Sequence, residues 1–418
     1  MRGGIIGLDW TGRKAKTTGQ PAENIMEHAM DAAVDAGTSQ FELNEDQRAI
    51  QQMAEAFAAD RVAPNALDWD RNKHFPADVI RETGPLGLGG IYVSDDVGGS
   101  ALGRLDAVLI FEALSRADPA FSSFISIHNM VASMIDRFGS DEQRQHFLPK
   151  LTSMEWLASY CLTEPGSGSD AAALKTRAVK SGGDYVLNGV KQFISGAGDS
   201  DIYIVMARTG GDGPKGISTF VVPKDAPGLS FGANEHKMGW HMQSTRQVVF
   251  EDCKVPAQNL LSDEGAGFGI AMAGLDGGRL NIAACSLGGA QSALDKALSY
   301  TAERKAFGAK INQFQALQFK LADMETELQA ARIFLYAAAS KLDRKAPDAS
   351  KWSAMAKRFV TDIGFEVAND ALQLHGGYGY LHDYGIEKLV RDLRVHQILE
   401  GTNEIMRVII ARGLIGRQ

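Results

Sequence analysis

Three stretches of different hydrophobic rhythm divide the chain. From Leu43 to about Met154 apolar residues recur at helical spacing, over 51–63, 76–83, 107–115 and 130–138. The loop Asp95-Asp96-Val97-Gly98-Gly99-Ser100 punctuates them. From Cys161 to about Asp263, β-branched and aromatic runs take over at 185–190, 202–207, 217–223 and 246–250, separated by Gly, Pro and Asp turns. The Asn188-Gly189 pair inside the first of these runs predicts a type I′ hairpin at that point. From Gly265 the helical rhythm returns. Leu317, Leu321, Met324, Leu328, Ala331 and Leu335 alternate steps of four and three, the inward seam of a helix bundle. A second such helix, from about Ser350 to Leu374, has a predicted seam of Ala356, Phe359, Ile363, Val367, Ala371 and Leu374, and His375-Gly376-Gly377 stops it. Helical, then β, then helical again is an α+β arrangement rather than an alternating βαβ fold. The expected divisions are an extension over 1–42, a helical domain over 43–160, a β-domain over 161–264 and a helical bundle over 265–418.

Bulk properties narrow the function classes. At 418 residues, 44% hydrophobic and 22% charged, the chain has room for two or three cores of ordinary globular composition. No apolar run approaches the ~18 residues of a membrane-spanning helix. A net charge of −8 argues against a general nucleic-acid binder. Cys161, Cys253 and Cys285 are far apart with no C-x-x-C pair, which predicts buried, inert thiols and no metal or disulfide framework. His375 and His382 have no carboxylate or cysteine at ligand spacing and read as loop histidines. Within 1–20 the only acid is Asp9, and 23–36 is alanine-rich. The expectation is a disordered extension or an upstream start codon, with Met26 or Met30 as the natural start.

Chemistry concentrates in one loop, Tyr160-Cys161-Leu162-Thr163-Glu164-Pro165-Gly166-Ser167-Gly168-Ser169-Asp170. Its glycines let backbone N–H groups approach a ligand, and its hydroxyls add donors for anionic or carbonyl oxygens. Phe193-Ile194-Ser195 closes a predicted strand and places an aromatic ring and a hydroxyl on one face. Arg304-Lys305-Ala306-Phe307-Gly308 with Gln315, and Gln373-Leu374-His375-Gly376-Gly377, combine arginine with a glycine pair, a set suited to pyrophosphate. The G-G-Y-G run at 376–379 follows a helix, so it is not a dinucleotide-binding turn. Glu400 stands between apolar Ile398 and Leu399 and Gly401-Thr402-Asn403-Glu404. Desolvation there raises a carboxyl pKa and makes a general base near neutral pH.

Each motif alone suits a plain structural role, but their joint order does not. T-E-P-G-S-G-S-D, F-I-S, E-R-K-x-F-G, Q-L-H-G-G-Y-G-Y and L-E-G-T-N-E on an α–β–α chain resemble the acyl-CoA dehydrogenase family from about residue 43 to 415. I-S-I-H-N-M at 125–130, F-I-S-G-A-G at 193–198, T-G-G-x-G-P-K-G-I-S at 209–218 and V-H-Q-I-L-E-G at 395–401 are similar to its isobutyryl-CoA branch.

The resemblance implies an N-terminal helical domain, a central β-domain and a C-terminal four-helix bundle, assembled as a homotetramer with FAD between β-domain and bundle. It assigns Tyr160, Cys161, Leu162, Thr163, Gly166, Ser167, Gly168, Ser169, Phe193, Ile194 and Ser195 to the flavin. Arg304, Phe307, Gln315, Gln373, Leu374, His375, Gly376 and Gly377 would reach the FAD of a neighbouring subunit, and Gly401, Thr402, Asn403 and Glu404 would complete the site. Ser169, Asp276, Arg279, Gly401 and Arg412 match positions that hold the acyl-CoA substrate. Glu400 matches the base that removes the α-proton of the thioester while a β-hydride goes to the flavin, with electron-transferring flavoprotein as the onward acceptor. Some members carry the base just before the arginine that is Arg279 here, and this chain has Gly278 at that position. Phe193 stands where the family commonly has tryptophan. The same residues would serve another short or 2-methyl-branched acyl-CoA, or an oxygen-using oxidase. A flavin-binding scaffold without catalysis is the reading that Glu400 and the acidic charge oppose. The resemblance implies the cytoplasm of a bacterium or the mitochondrial matrix.

Overall fold

The computed structural model describes residues 42–416, and the expected extension falls outside them except for its last residue. The first helical rhythm becomes α1 (Glu45–Phe57), α2 (Ala66–Asn72), α3 (Ala77–Arg81), α4 (Arg104–Ala117), α5 (Pro119–Phe138) and α6 (Asp141–Thr152). Asp118 sets the start of α5: its carboxylate accepts from the N–H groups of Ala120 (2.8 Å) and Phe121 (3.1 Å), and Pro119 follows it. Helix α5 is buried on nearly every side, so periodicity marks only its second half. Helix α6 escapes the pattern because Phe147, Leu148 and Leu151 are the only apolar residues it turns inward, beside buried Gln143 and Thr152, from a charged sequence. Its capping box, Ser140 with Gln143, is the signal that locates it.

The middle of the chain forms β1 (Ala158–Cys161), β2 (Arg177–Ser181), β3 (Asp184–Ser195), β4 (Ile202–Arg208), β5 (Ile217–Pro223), β6 (Leu229–Phe231), β7 (Thr245–Pro256) and β8 (Leu260–Leu261). They make one sheet in the order β6-β7-β3-β2-β4-β5-β8, with β1 parallel to β4. Strand β4 reads as an unbroken apolar run because both its faces are covered. Ile202, Ile204 and Met206 join Met134, Ile135, Leu148 and Leu151 of α5 and α6, while Tyr203 and Val205 join the sheet's own core.

The Asn188-Gly189 hairpin does not form. Strand β3 runs straight through it, and the two-residue turn lies earlier, at Gly182-Gly183, between paired Ser181 and Asp184. At Gly189 the register against β7 slips by one residue, and the Asn188 amide bonds Asp252 across the slip. A side chain at Gly189 would stand 2.7 Å from the Thr176 Cα, so this glycine serves close strand approach, not a turn.

The last part contains α7 (Gly267–Glu303), the small hairpin β9 (Lys305–Ala306) and β10 (Ala309–Lys310), α8 (Gln315–Asp343), α9 (Ala349–His375), α10 (Ile386–Arg394) and α11 (Asn403–Ile415). The α8 seam holds: Met324, Leu328, Ala331 and Leu335 are buried, with Leu317 and Leu321 packed at its margin. The α9 seam holds at Ala356, Val367, Ala371 and Leu374, which are buried, with Phe359 and Ile363 packed at its margin. The inward stripe also takes in Ser353, Lys357, Val360 and Gly364. The polar members of that stripe hide this part of it from a hydrophobicity count. One apolar core joins α4, α5, α7, α8 and α9 through residues such as Phe111, Phe121, Leu287, Leu328 and Val360. All three cysteines are free and buried, as expected, and burial pushes the Cys253 and Cys285 thiols up to about 11.

Candidate active site

Strand β1 delivers Tyr160 and Cys161 into the glycine-serine loop. There Glu164 and Ser167 exchange backbone hydrogen bonds of 3.0 Å around Pro165-Gly166. A buried ion pair anchors the loop: Lys191 Nζ donates to Glu164 Oε1 (2.8 Å) and to the Leu162 carbonyl (3.1 Å). Burial works to raise the Glu164 pKa, but Lys191 and the N–H groups of Lys175 and Thr176 outweigh it and hold the carboxyl below its ordinary value. Ser169 is exposed, and a Cβ placed on Gly166 or Gly168 would meet nothing within 4 Å. Packing within the chain therefore does not require those glycines, and their backbone stands open to a ligand.

Beside this loop β3 ends in a second bulge, between Lys191 and Ile194. Phe193 sits there at φ +59° with 63% of its surface exposed, while Ile194 is buried and Ser195 half-buried. A large aromatic in a strained backbone conformation, facing outward, is a ready stacking surface.

A separate cleft opens at the ends of α7 and α9. Its lining includes Tyr300, Arg304, Lys320, Gln373, His375, Gly376 and Gly377. His375 stacks on Tyr300 (4.4 Å between ring centres), and the Arg304 guanidinium lies 5.4 Å above the Tyr378 ring. A Cβ on Gly376 or Gly377 would again meet nothing. Phe307, at the tip of the β9–β10 hairpin, is 97% exposed, and Gln315 opens α8. Neither Phe193 nor Glu400 lines this cleft, so within one chain the sequence-derived residues fall into two groups.

Glu400 lies in the turn before α11, at φ +56°, followed by Gly401 at φ +87°. Its Oε2 is sealed from solvent and lacks a hydrogen-bond partner. Burial pushes the carboxyl up to about 7, against the pull of Arg279 and Lys357. Gly278 makes the space: a Cβ there would stand 2.6 Å from Glu400 Oε2. Arg279 is buried and donates to Asp276 Oδ1 (2.5 Å), which Ser350 also contacts (2.9 Å), while its Nε stays unpartnered. The Tyr160 hydroxyl is also buried and unpartnered, and burial together with the Glu400 charge pushes it well above its ordinary pKa. Thr402 caps α11 by accepting from Ile405 N–H (3.3 Å); Asn403 is buried, whereas Glu404 and Arg412 are exposed. The turn is held from below by Lys357 of α9, a residue that the motifs did not single out. No signal in the sequence marks it, since a lysine in a helix ordinarily faces water.

An open glycine cradle, an outward aromatic, a second glycine cleft with arginine and an unpaired buried carboxyl together suit a flavin dinucleotide beside a base. Among the described residues no group of His, Cys, Asp and Glu is arranged to hold a metal, and no helix is long and apolar enough to cross a membrane. Family models match the chain in order: acyl-CoA dehydrogenase N-terminal domain over 44–155, middle domain over 159–253 and C-terminal domain over 265–415. The chain is 58% identical over 373 residues to mitochondrial isobutyryl-CoA dehydrogenase of Dictyostelium discoideum, covering 89% of this chain and 90% of that protein. It is 53% identical to the protein of the same name from Bos taurus, with the same coverage. The solved butyryl-CoA dehydrogenase of Megasphaera elsdenii matches with a TM-score of 0.87 at 38% identity, covering 90% of this chain and 99% of that one. Motif order, site geometry and relatives agree: the chain belongs to the acyl-CoA dehydrogenases, FAD-dependent oxidoreductases that act on a CH–CH bond of an acyl-CoA.

Proposed function

We propose that this enzyme converts isobutyryl-CoA to methacrylyl-CoA, with Glu400 as the base. The observation that carries the reading is Glu400: its Oε2 is sealed and unpartnered, and burial raises the carboxyl to about 7. Such a group accepts a proton near neutral pH and presents it to no competing partner. The two relatives at 58% and 53% identity, both named for isobutyryl-CoA, support the acyl chain.

In this reading Glu400 removes the α-proton, and the β-hydrogen departs with its electron pair. FAD, when bound, supplies the acceptor for that hydride. The Glu400 backbone N–H serves the thioester oxygen, where enolate charge develops. Ser169, Asp276, Arg279, Gly401 and Arg412 hold the CoA ester. The loop from Tyr160 to Ser169 and Phe193–Ser195 hold the flavin side, and Thr402, Asn403 and Glu404 close the site. Arg304, Phe307, Gln315 and Gln373–Gly377 serve the FAD of a neighbouring subunit in a homotetramer. Support for that arrangement is the separation of their cleft from Glu400 and the outward reach of Phe307. Electrons pass on to electron-transferring flavoprotein, in valine degradation. The compartment follows the host, the cytoplasm of a bacterium or the mitochondrial matrix. The domain borders are placed near 42, 160 and 264, although β1 joins the sheet from Ala158.

The test is anaerobic titration of the yellow protein with isobutyryl-CoA, butyryl-CoA and 2-methylbutyryl-CoA. Fast bleaching by isobutyryl-CoA is expected; bleaching by another ester alone moves the substrate and keeps the base. Glu400→Gln should keep its FAD and bleach slower by about 10²–10⁴-fold, the usual worth of a positioned base. Wild-type bleaching in that variant removes Glu400 from the mechanism.

A further inference from the structure

Glu400 and Gly401 both adopt left-handed backbone conformations, φ +56° and +87°. For the glutamate this is a strained conformation, so the surroundings must hold it there. The main support is Lys357, which is 0% exposed. Its Nζ donates to the Gly401 carbonyl (2.9 Å) and to Asn403 Oδ1 (2.8 Å). Asn403 is fixed in turn by Thr361 Oγ1 (3.0 Å) and Asp362 Oδ1 (2.7 Å), also from α9. One face of α9 thus grips the residues on the far side of the Glu400 corner.

The choice of a lysine here is unusual. A buried ammonium normally finds a carboxylate as its hydrogen-bond partner, yet both acceptors of Lys357 are uncharged. The charged groups that face it are Glu400 from the turn, Arg279 from α7, Asp362 from its own helix and Glu404 from α11. Neutral His396 lies near it as well. Burial draws Lys357 down to about 7, with Glu400 the foremost charge pulling the other way. A neutral donor such as glutamine could hold a carbonyl; a lysine also places positive charge behind the base.

We propose that Lys357 is a positioning residue of the active site, holding the Glu400–Gly401 corner in its left-handed form and adding its positive charge to that of Arg279 behind Glu400. The proposal rests on Glu400 being the base. It predicts two separable losses. Lys357→Met removes both grip and charge; Lys357→Gln keeps a donor and removes the charge.

The experiment compares both variants of the FAD-bound protein with wild type and with Glu400→Gln. It reads flavin content, thermal midpoint, the bleaching rate against pH, and the titration of the Glu400 carboxylic-acid stretch by infrared difference. Loss of the cation should move the Glu400 titration upward by about one pH unit or more in both variants, since a neighbouring opposite charge is worth roughly 1–3 units. Lys357→Met should also lose at least about tenfold in maximal bleaching rate, with Lys357→Gln losing less, because misplacement of a reacting group is costly. Wild-type titration and rate in both variants overturn the proposal. So does failure of both to fold and keep FAD, which makes Lys357 a folding residue. If Glu400→Gln bleaches normally, the base assignment falls, while the infrared shift still reports on Lys357.

Discussion

The absence of one methyl group at Gly278 decides where the Glu400 carboxyl lies. A Cβ there would stand 2.6 Å from Oε2 and 2.9 Å from Cδ, too close for either atom to stay. Gly278→Ala should therefore keep FAD and fold while lowering the bleaching rate by roughly 10²-fold, the scale of a 1 Å misplacement; stopped-flow bleaching checks it. The raised pKa has its own consequence. Folded protein keeps the Glu400 proton up to about 7, whereas the unfolded chain releases it near the ordinary 4.5. Between those values the folded state binds more protons, so this residue's contribution to stability is full below the lower value and is lost as pH rises through the upper. Glu400→Gln should then raise the melting temperature at about pH 8 and leave it nearly unchanged at about pH 4, a difference calorimetry can read. Glu400 was legible because an acid flanked by Ile398, Leu399 and Gly401 must give up water when those neighbours pack. Lys357 was not, since one lysine in a helix usually marks its wet face.

Glycine sets how closely the helices approach. On α7, Gly288 lies against the backbone of α4: a Cβ would run into the Glu112 carbonyl, and Ser115 would be 2.9 Å away. Gly289 likewise faces Pro119 and Leu393. Gly288→Ala should destabilise the protein by about 1–3 kcal/mol through overpacking, seen as a lower denaturant midpoint with the slope unchanged. Element by element, the regular seam of α8 was readable because its inward positions are all apolar. The α9 seam was readable at Ala356, Val367, Ala371 and Leu374, but not at Ser353, Lys357 and Gly364, which also point inward while Phe359 and Ile363 sit at the edge. The Asn188-Gly189 pair misled for a related reason. Local turn preference was overruled by β7, which holds both sides of that point in one long strand.

Across the molecule a buried charge group ties the three parts together. Lys388 of α10 meets Asp118, the α5 cap, at 2.9 Å and Asp392 at 2.6 Å, and Asp392 accepts from the Trp240 N–H at 2.5 Å. Arg391 reaches Asp70 of α2 at 2.7 Å. Burial works against the Lys388 charge, but Asp118 and Asp392 hold its pKa above the ordinary value. Lys388→Met strands two buried carboxylates and should cost about 3–5 kcal/mol by chemical denaturation, the usual effect of breaking a buried pair. At the same scale, truncating the exposed hairpin tip by Phe307→Ala should lower the flavin-to-protein absorbance ratio if that tip serves a neighbouring subunit. Motif order and hydrophobic rhythm determined, from the sequence alone, the family resemblance, the α–β–α order and the candidate base. Those signals survive because each resides in a few adjacent residues. Only the tertiary structure decided the bulge at Gly189, the polar members of the α9 stripe, the gap at Gly278 and the lysine behind Glu400. Each of these is set by what another element places against it, and sequence spacing carries no record of that distance.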